Sequence, residues 1–586
     1  MRKRLPILQG ILRRPGEAGA GRSRAGLTRS LRARITADLM KKAFMADTVI
    51  DVDRLATTVL AGYIMMLAGV ILLAVGALLV VNLYANPFIA LALPVALLVV
   101  GGLTVLSVNL KTNLLLSNRK FRIEKELPFI SMFMTLTASL NLPLQRALRE
   151  ALRIDFFRQF KREIHFIEKI RLFYIMSYTE ALEYISRFHP SMQLREFYQT
   201  LVAGERAGGD KYRILLEKTS FFMKILEDRI NRLIERFSTI TNLEVMLFVV
   251  IPLALIIIGA LFAGNQGLAL AYTASIGMPF LSFLIMLFVV QSVYPEELAE
   301  SPPRRWLLAG VGLELFIFVV AGFIVPDRYF LYASIEKYEF TGLLMAITAI
   351  GFGIYFRSWY KEADETFYSI PTVTRYIAEE GKKGRTPKQA IVGLTRFQLP
   401  SRMNSLIRVI AARVSLGISI KDAIKGLRLP WLANLYFQLL DTADRYGADP
   451  RSLDLLAGFT EDTVSVARII EDRSLGFKLG ALIAIISLVL GFTIVHEMVL
   501  AQFTSVAATI ASGAQAAGFG LPIQPVSEDM LPILKSISYT GIVLNTFFIS
   551  LLAGKTVKGS IAAGFLFAGL NILIVLASVR IIAAII

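Results

Sequence analysis

The chain has 586 residues, is 55% hydrophobic with a mean hydropathy of +0.59, and carries a formal net charge of +18. That is too apolar for an ordinary soluble multidomain protein and places the chain in a membrane, where an excess of Arg and Lys lies beside the headgroups and needs no nucleic acid partner. The absence of cysteine excludes disulfides, thiolate metal sites and thiol nucleophiles, and His165, His189 and His496 are too scattered in sequence to suggest a site.

Residues 1–55 form a basic tail, from Arg2 through Arg34, with no apolar run directly after the charges as a secretory signal requires. Its Gly- and Arg-rich start, up to about Arg24, reads as disordered, and Met40 and Met45 are alternative starts. Apolar runs of spanning length then predict nine membrane helices, at about 57–81, 87–110, 243–264, 271–294, 306–325, 341–356, 477–498, 537–552 and 561–585. The implied order is a transmembrane hairpin (56–110), a polar helical domain (111–242), a hairpin (243–294), a link (295–305) and another hairpin (306–356). A second polar helical domain (357–476) and three closing spans (477–586), with an external loop at 499–534, complete it. The fold class is therefore all-α and polytopic. Basic residues concentrate in the tail, in both polar domains and in the short links holding Arg304, Arg305, Lys555 and Lys558. This asymmetry predicts a cytoplasmic amino terminus and, with nine spans, an extracytoplasmic carboxyl terminus.

The two polar domains align with each other. Pro128 matches Pro371, Pro143 matches Pro387, Thr179 to Leu182 matches Lys421 to Ile424, and Pro190 matches Pro430. The phrase FYQTLVAGERAGGD from Phe197 then meets YFQLLDTADRYGAD from Tyr436, sharing Gln, Leu, Arg, Gly and Asp in order. A repeat this long implies duplication of a whole unit rather than a solenoid. At the echoed corner Gly208 and Gly447 suit a left-handed helix end, and Asp210 and Asp449 suit the cap of the next helix. Alternatively Glu205, Arg206 and Asp210, with Asp444, Arg445 and Asp449, face a partner or an ion. Arg149 and Arg153 in the first copy, and Lys382 and Lys383 in the second, make basic faces open to solvent, anionic lipid or an acidic protein.

No constellation for catalysis, cofactor or metal binding is present. The stretch Ala553-Gly554-Lys555-Thr556 ends like a phosphate loop, but the pattern needs a glycine where Ile549 stands, and a preceding strand. Glu314, mid-span, is an ionisable group expected to face the protein interior, as a hydrogen-bonded acid or a proton relay. Asn545 and Asn571 are candidate interhelical hydrogen bonders. His496 at the outer end of its span is expected to be wet.

Glu126-Leu127-Pro128, the Arg146-Ala147-Leu148 turn behind Pro143, and the Gly204-Glu205-x-x-Gly-Gly-Asp210 corner before a membrane run resemble the type II secretion system F domain. Two copies among many spans are similar to archaeal platform proteins of type IV pili and archaella, or the related tight-adherence platform proteins. The resemblance covers about residues 120–295 and 365–555; the second copy has Ile370-Pro371 without the acid of Glu126, and Ala443-Asp444 for Gly204-Glu205. It implies a platform without enzymatic activity that anchors a hexameric secretion ATPase in the cytoplasm and feeds pilin subunits into a filament; a homodimer would fit the symmetry of such a motor. The competing expectation is a secondary transporter built around Glu314, since internal repeats also occur there.

Overall fold

The structure, a computed structural model, describes residues 25–47, 51–83, 87–207, 210–260, 265–293, 302–325, 335–496 and 531–585. Among these residues every regular element is helical, and eight helices are long and apolar enough to cross a membrane: Val52–Val75, Lys211–Gly259, Gly267–Gln291, Arg304–Ile324, Lys337–Lys382, Pro450–Ile494, Ile533–Lys558 and Ile561–Ile582. Nine were expected. The run at 87–110 is helical but is not among the eight, because most side chains before residue 97 lie outside the described residues. The start of the tail, to residue 24, and the 499–530 part of the expected external loop also lie outside them.

The chain divides into two compact units, 1–222 and 223–586. The first contains α1 (Ala25–Ala46), α2 (Val52–Leu83), α3 (Pro87–Ser139), α4 (Leu144–Ala151), α5 (Arg158–Tyr174), α6 (Tyr178–Ser186), α7 (Met192–Ala207) and the first turns of α8 (Lys211–Val245). Helices α2 and α3 pair as a hairpin whose backbones touch: a Cβ on Gly101 would lie 2.8 Å from the Gly62 carbonyl oxygen. Small residues allow such approach where apolar area alone gives no drive in lipid. The hairpin's outward residues, Leu67, Val70, Leu103 and Leu106, are exposed, as lipid-facing residues are.

Beyond the hairpin α3 becomes the central helix of a polar bundle whose core holds its Leu127, Ile130, Phe133 and Leu136 with Phe157 just before α5, Phe160 and Ile167 of α5, and Leu194 and Phe197 of α7. The aromatic pairs meet edge-on, Phe133 with Phe157 at 5.7 Å and Phe197 with Phe222 at 5.8 Å between ring centres, and each buried ring contributes roughly 2–3 kcal/mol. Glu126 starts α5 by accepting the backbone N–H groups of Gln159 and Phe160, both at 2.8 Å; these are two of the four donors that a helix start leaves without a partner.

The second unit holds the rest of α8, then α9 (Ile251–Ala260), α10 (Asn265–Tyr272), α11 (Met278–Val293), α12 (Arg304–Val319) and α13 (Lys337–Lys382). After these come α14 (Pro387–Leu394), α15 (Ser401–Ser415), α16 (Ile420–Ala423), α17 (Trp431–Arg445), α18 (Pro450–Ile494), α19 (Leu531–Lys558) and α20 (Phe565–Ile585). Helix α19 is the axis of the apolar part, its spanning window wholly buried. It packs backbone to backbone on the turn that leads into α20, since a Cβ on Gly554 would overlap Gly564. The long helices α13 and α18 run on from the apolar part into a second polar bundle with α14–α17, cored by Ile377, Ile391, Ile407, Phe437 and Leu440.

Candidate functional site

The echoed corners are built alike. In the first unit Asp210 accepts the backbone N–H of Arg213 at 3.1 Å and so caps α8; residues 208 and 209 are outside the described residues. In the second, Gly447 is left-handed (φ 77°) after α17, and Asp449 caps α18 through the N–H of Ser452 at 2.8 Å. Glu205 pairs with Lys211, and Asp444 with Lys388 at 3.3 Å. The aligned acids thus take their cations from different helices, because the position of Lys388 is Leu144 in the first copy and that of Lys211 is Pro450 in the second.

The other candidate contact residues also have partners within their own bundle. Arg206 pairs with Glu183 and Arg445 with Asp441. Arg153 reaches Glu150 at 3.2 Å, and Arg149 stands beside Glu168 and Tyr178. Lys382 bridges Glu379 at 2.8 Å and Asp454 at 3.2 Å, and Lys383 binds Glu380 at 2.8 Å. Hydrogen bonding from Arg206 holds the Glu183 carboxyl below the usual carboxylate range. Around the second corner Lys382 pairs with Asp454 and Lys388 with Asp444; in the first unit Arg149 lies on α4 and Arg153 just past its end.

A second parallel was not singled out in sequence. Helices α5 and α15 both end in a left-handed residue, Ile175 (φ 55°) and Gly417 (φ 87°). The next N–H returns five residues to the carbonyl of Arg171 at 3.0 Å or Arg413 at 3.3 Å. Ser177 and Ser419 then cap α6 and α16 and hydrogen-bond the acid three residues on, Glu180 at 2.9 Å and Asp422 at 2.7 Å. A β-branched residue in this conformation costs about 1–2 kcal/mol, which a glycine avoids.

Sequence reading also missed the buried ionic cluster of the first unit. Arg119 donates through Nε to Glu163 at 2.8 Å and through a terminal nitrogen to the Met45 carbonyl at 2.7 Å. His189 Nε2 lies 3.5 Å from the same carboxylate, while its Nδ1 accepts the Ser191 N–H at 3.0 Å. Burial raises the Glu163 pKa, but hydrogen bonds from His189 and Arg119 and the guanidinium charge outweigh it and hold the group at about 2.

In the second unit a cavity of about 1020 Å³ opens where α13, α18, α19 and α20 leave the apolar part. Lys558 sits on its wall between Asp364 at 3.0 Å and Glu471 at 3.1 Å, and Tyr368 donates to Glu471. Gly353, Leu566 and Leu570 line the apolar end. The Ala553 to Thr556 stretch lies within helix α19, where Gly554 serves packing rather than phosphate binding. Glu314 is buried and accepts from Thr348 of the next helix at 2.8 Å; its other oxygen has no partner among the described residues. Glu244, unsuspected from sequence, is equally buried, and neither oxygen has a partner among those residues. Asn571 donates to Ser550 at 3.0 Å, as expected of an interhelical amide, whereas both Asn545 side-chain atoms lack partners there. His496, expected to be wet, is buried and stacked at a tilt on Tyr539, 5.7 Å between ring centres.

Among the described residues no three His, Cys, Asp or Glu side chains gather as a metal site. No known protein family, curated protein or solved structure matches the chain.

Proposed function

We propose that this chain is the integral membrane platform of a type IV pilus-like assembly machine, an archaeal pilus or archaellum, in which two cytoplasmic bundles dock a hexameric secretion ATPase and the membrane part delivers pilin subunits to the filament. The proposal includes duplication of the F-type domain, a ninth span, a cytoplasmic amino terminus, homodimerisation and no catalytic role. One observation carries it: two polar bundles, each continuous with apolar helices, repeat the same order of helix stop, serine cap, Gly-containing corner and aspartate cap at aligned positions. A threonine pair also bridges the first and last helix of each bundle at 2.8 Å, Thr135 with Thr219 and Thr374 with Thr460, although Thr374 aligns with Ser131, one turn from Thr135.

The test is copurification of the chain in lipid with the secretion ATPase of the same cell, and measurement of ATP turnover. Binding with altered turnover, lost on deletion of either bundle, supports the platform; absence of binding refutes it. The transporter reading draws on the partnerless oxygen of buried Glu314, and a substrate flux abolished by Glu314→Gln would favour it.

A further inference from the structure

The corner that ends α5 presents apolar side chains with nothing of the first unit to cover them: Ile175 is 94% exposed, Leu172 64% and Phe173 45%. Ile175 also holds a left-handed backbone that its β-branched side chain disfavours, while the aligned residue of the second bundle is a glycine. In water this side chain adds strain and exposed apolar area and makes no packing contact. Its height explains it. Helix α5 runs antiparallel to α3, because its start meets Glu126 and its sixth and ninth residues meet Arg119, whose guanidinium pairs with Glu163 and lies 4.8 Å from the Phe166 ring. Further along, Phe166 packs on Phe44 at 5.4 Å and Lys169 pairs with Asp47 at 3.7 Å, residues just before the apolar run of α2.

At a rise of 1.5 Å per residue, about 13 Å of α3 separates Arg119 from Leu110, and about 15 Å of α5 separates Glu163 from Phe173. Leu110 and Leu114 are themselves outward-facing apolar residues flanking Lys111, and Val108 packs against Val59 at the start of the first span. The corner therefore stands level with the edge of the hairpin's lipid-facing surface. We propose that Leu172, Phe173 and Ile175 insert into the headgroup and acyl boundary of the membrane, with Lys111 and Lys169 at the anionic headgroups, so that the bundle is moored to lipid at a second point beside its hairpin. Short apolar protrusions with flanking cations bind interfaces in this way. The second unit repeats the placement: Leu416 is 80% exposed after α15, Arg413 ties that corner to the Ala423 and Lys425 carbonyls, and Arg428 lies 4.6 Å over Trp359, just past the apolar run of α13.

The cysteine-free chain allows a unique nitroxide label. The full-length protein carrying Ile175→Cys, Leu172→Cys or, as a water reference beyond the Thr135 and Thr219 crossing, Arg213→Cys is reconstituted in vesicles of phosphatidylcholine and phosphatidylglycerol. The labels at 175 and 172 are expected to collide several-fold more with oxygen and several-fold less with a water-soluble nickel chelate than the label at 213. A label at 175 and 172 that matches position 213 overturns the proposal. Shielding from both collision partners also overturns it, since that places a protein surface, such as a second copy, over the corner.

Discussion

Replacing Arg119 by Met is expected to destabilise the first unit by about 3–5 kcal/mol, the cost typical of removing one partner from a buried ion pair. The magnitude follows from the site: the Glu163 side chain is 1% exposed and its carboxyl is held at about 2 against an ordinary 4.5, which at 1.36 kcal/mol per pH unit corresponds to about 3 kcal/mol. Without Arg119, only the His189 contact is left to oppose burial, and the carboxyl shifts toward its protonated form. Glu163→Gln, which removes the charge and keeps the shape, should cost less, and the double variant should recover much of the loss of Arg119→Met. All three tryptophans, at 306, 359 and 431, lie in the second unit, so intrinsic fluorescence would miss the event. Pulse proteolysis of the detergent-solubilised chain across a urea series reports it through cleavage of the first bundle. Arg119→Met within about 0.5 kcal/mol of the parent, the range of surface substitutions, would refute the reasoning, as would a larger loss for Glu163→Gln.

The same cluster sets a pH dependence: because the folded-state pKa of Glu163 is depressed, its stabilisation is full above about 4.5 and disappears as pH falls toward about 2. Proteolysis of the first bundle should therefore steepen in that window in the parent and not in Glu163→Gln. Asp449→Ala should cost about 1 kcal/mol through loss of the α18 cap, measured by tryptophan fluorescence in urea. If filament assembly fails while Asp449→Asn, which keeps a capping oxygen, restores stability but not assembly, the residue also contacts a partner. Ile175→Gly should stabilise the first bundle in detergent by about 1 kcal/mol by relieving the left-handed strain, again by pulse proteolysis. Gly554→Leu should lower the melting temperature of the whole second unit, because its side chain has to displace the Gly564 backbone.

Local grammar was legible in the sequence. Asp210 and Asp449 follow the expected capping role because a cap needs only its own next three residues, and Gly447 adopts the left-handed end its position predicted. What could not be read were groups joined across the fold. Arg119 and Glu163 on two helices and His189 on the loop between α6 and α7 meet across separations of 44 and 26 positions in the chain, and nothing local marks them. Glu244 sits at the edge of an apolar run, where an acid is unremarkable; its spacing of four from buried Ile240 and Phe248 was the one sign that it shares their inward face. The corner residues Glu205 and Asp444 stand out by their positions, but only the partner of Glu205, Lys211, is local; the partner of Asp444, Lys388, comes from a helix distant in sequence.

Helices α13 and α18, of 46 and 45 residues, are each close to 70 Å long at the usual helical rise. Past Pro450 at its first position α18 has no proline, and α13 has one, Pro371, on the bundle side of its apolar run. A rod of this kind stores little bending: a push or twist applied to the polar end arrives at the apolar end as displacement of the same body, with Pro371 the weakest rung for flexure. The second unit is thus stiff where force would have to travel, and compliant only on the bundle side of the point where α13 leaves its apolar run.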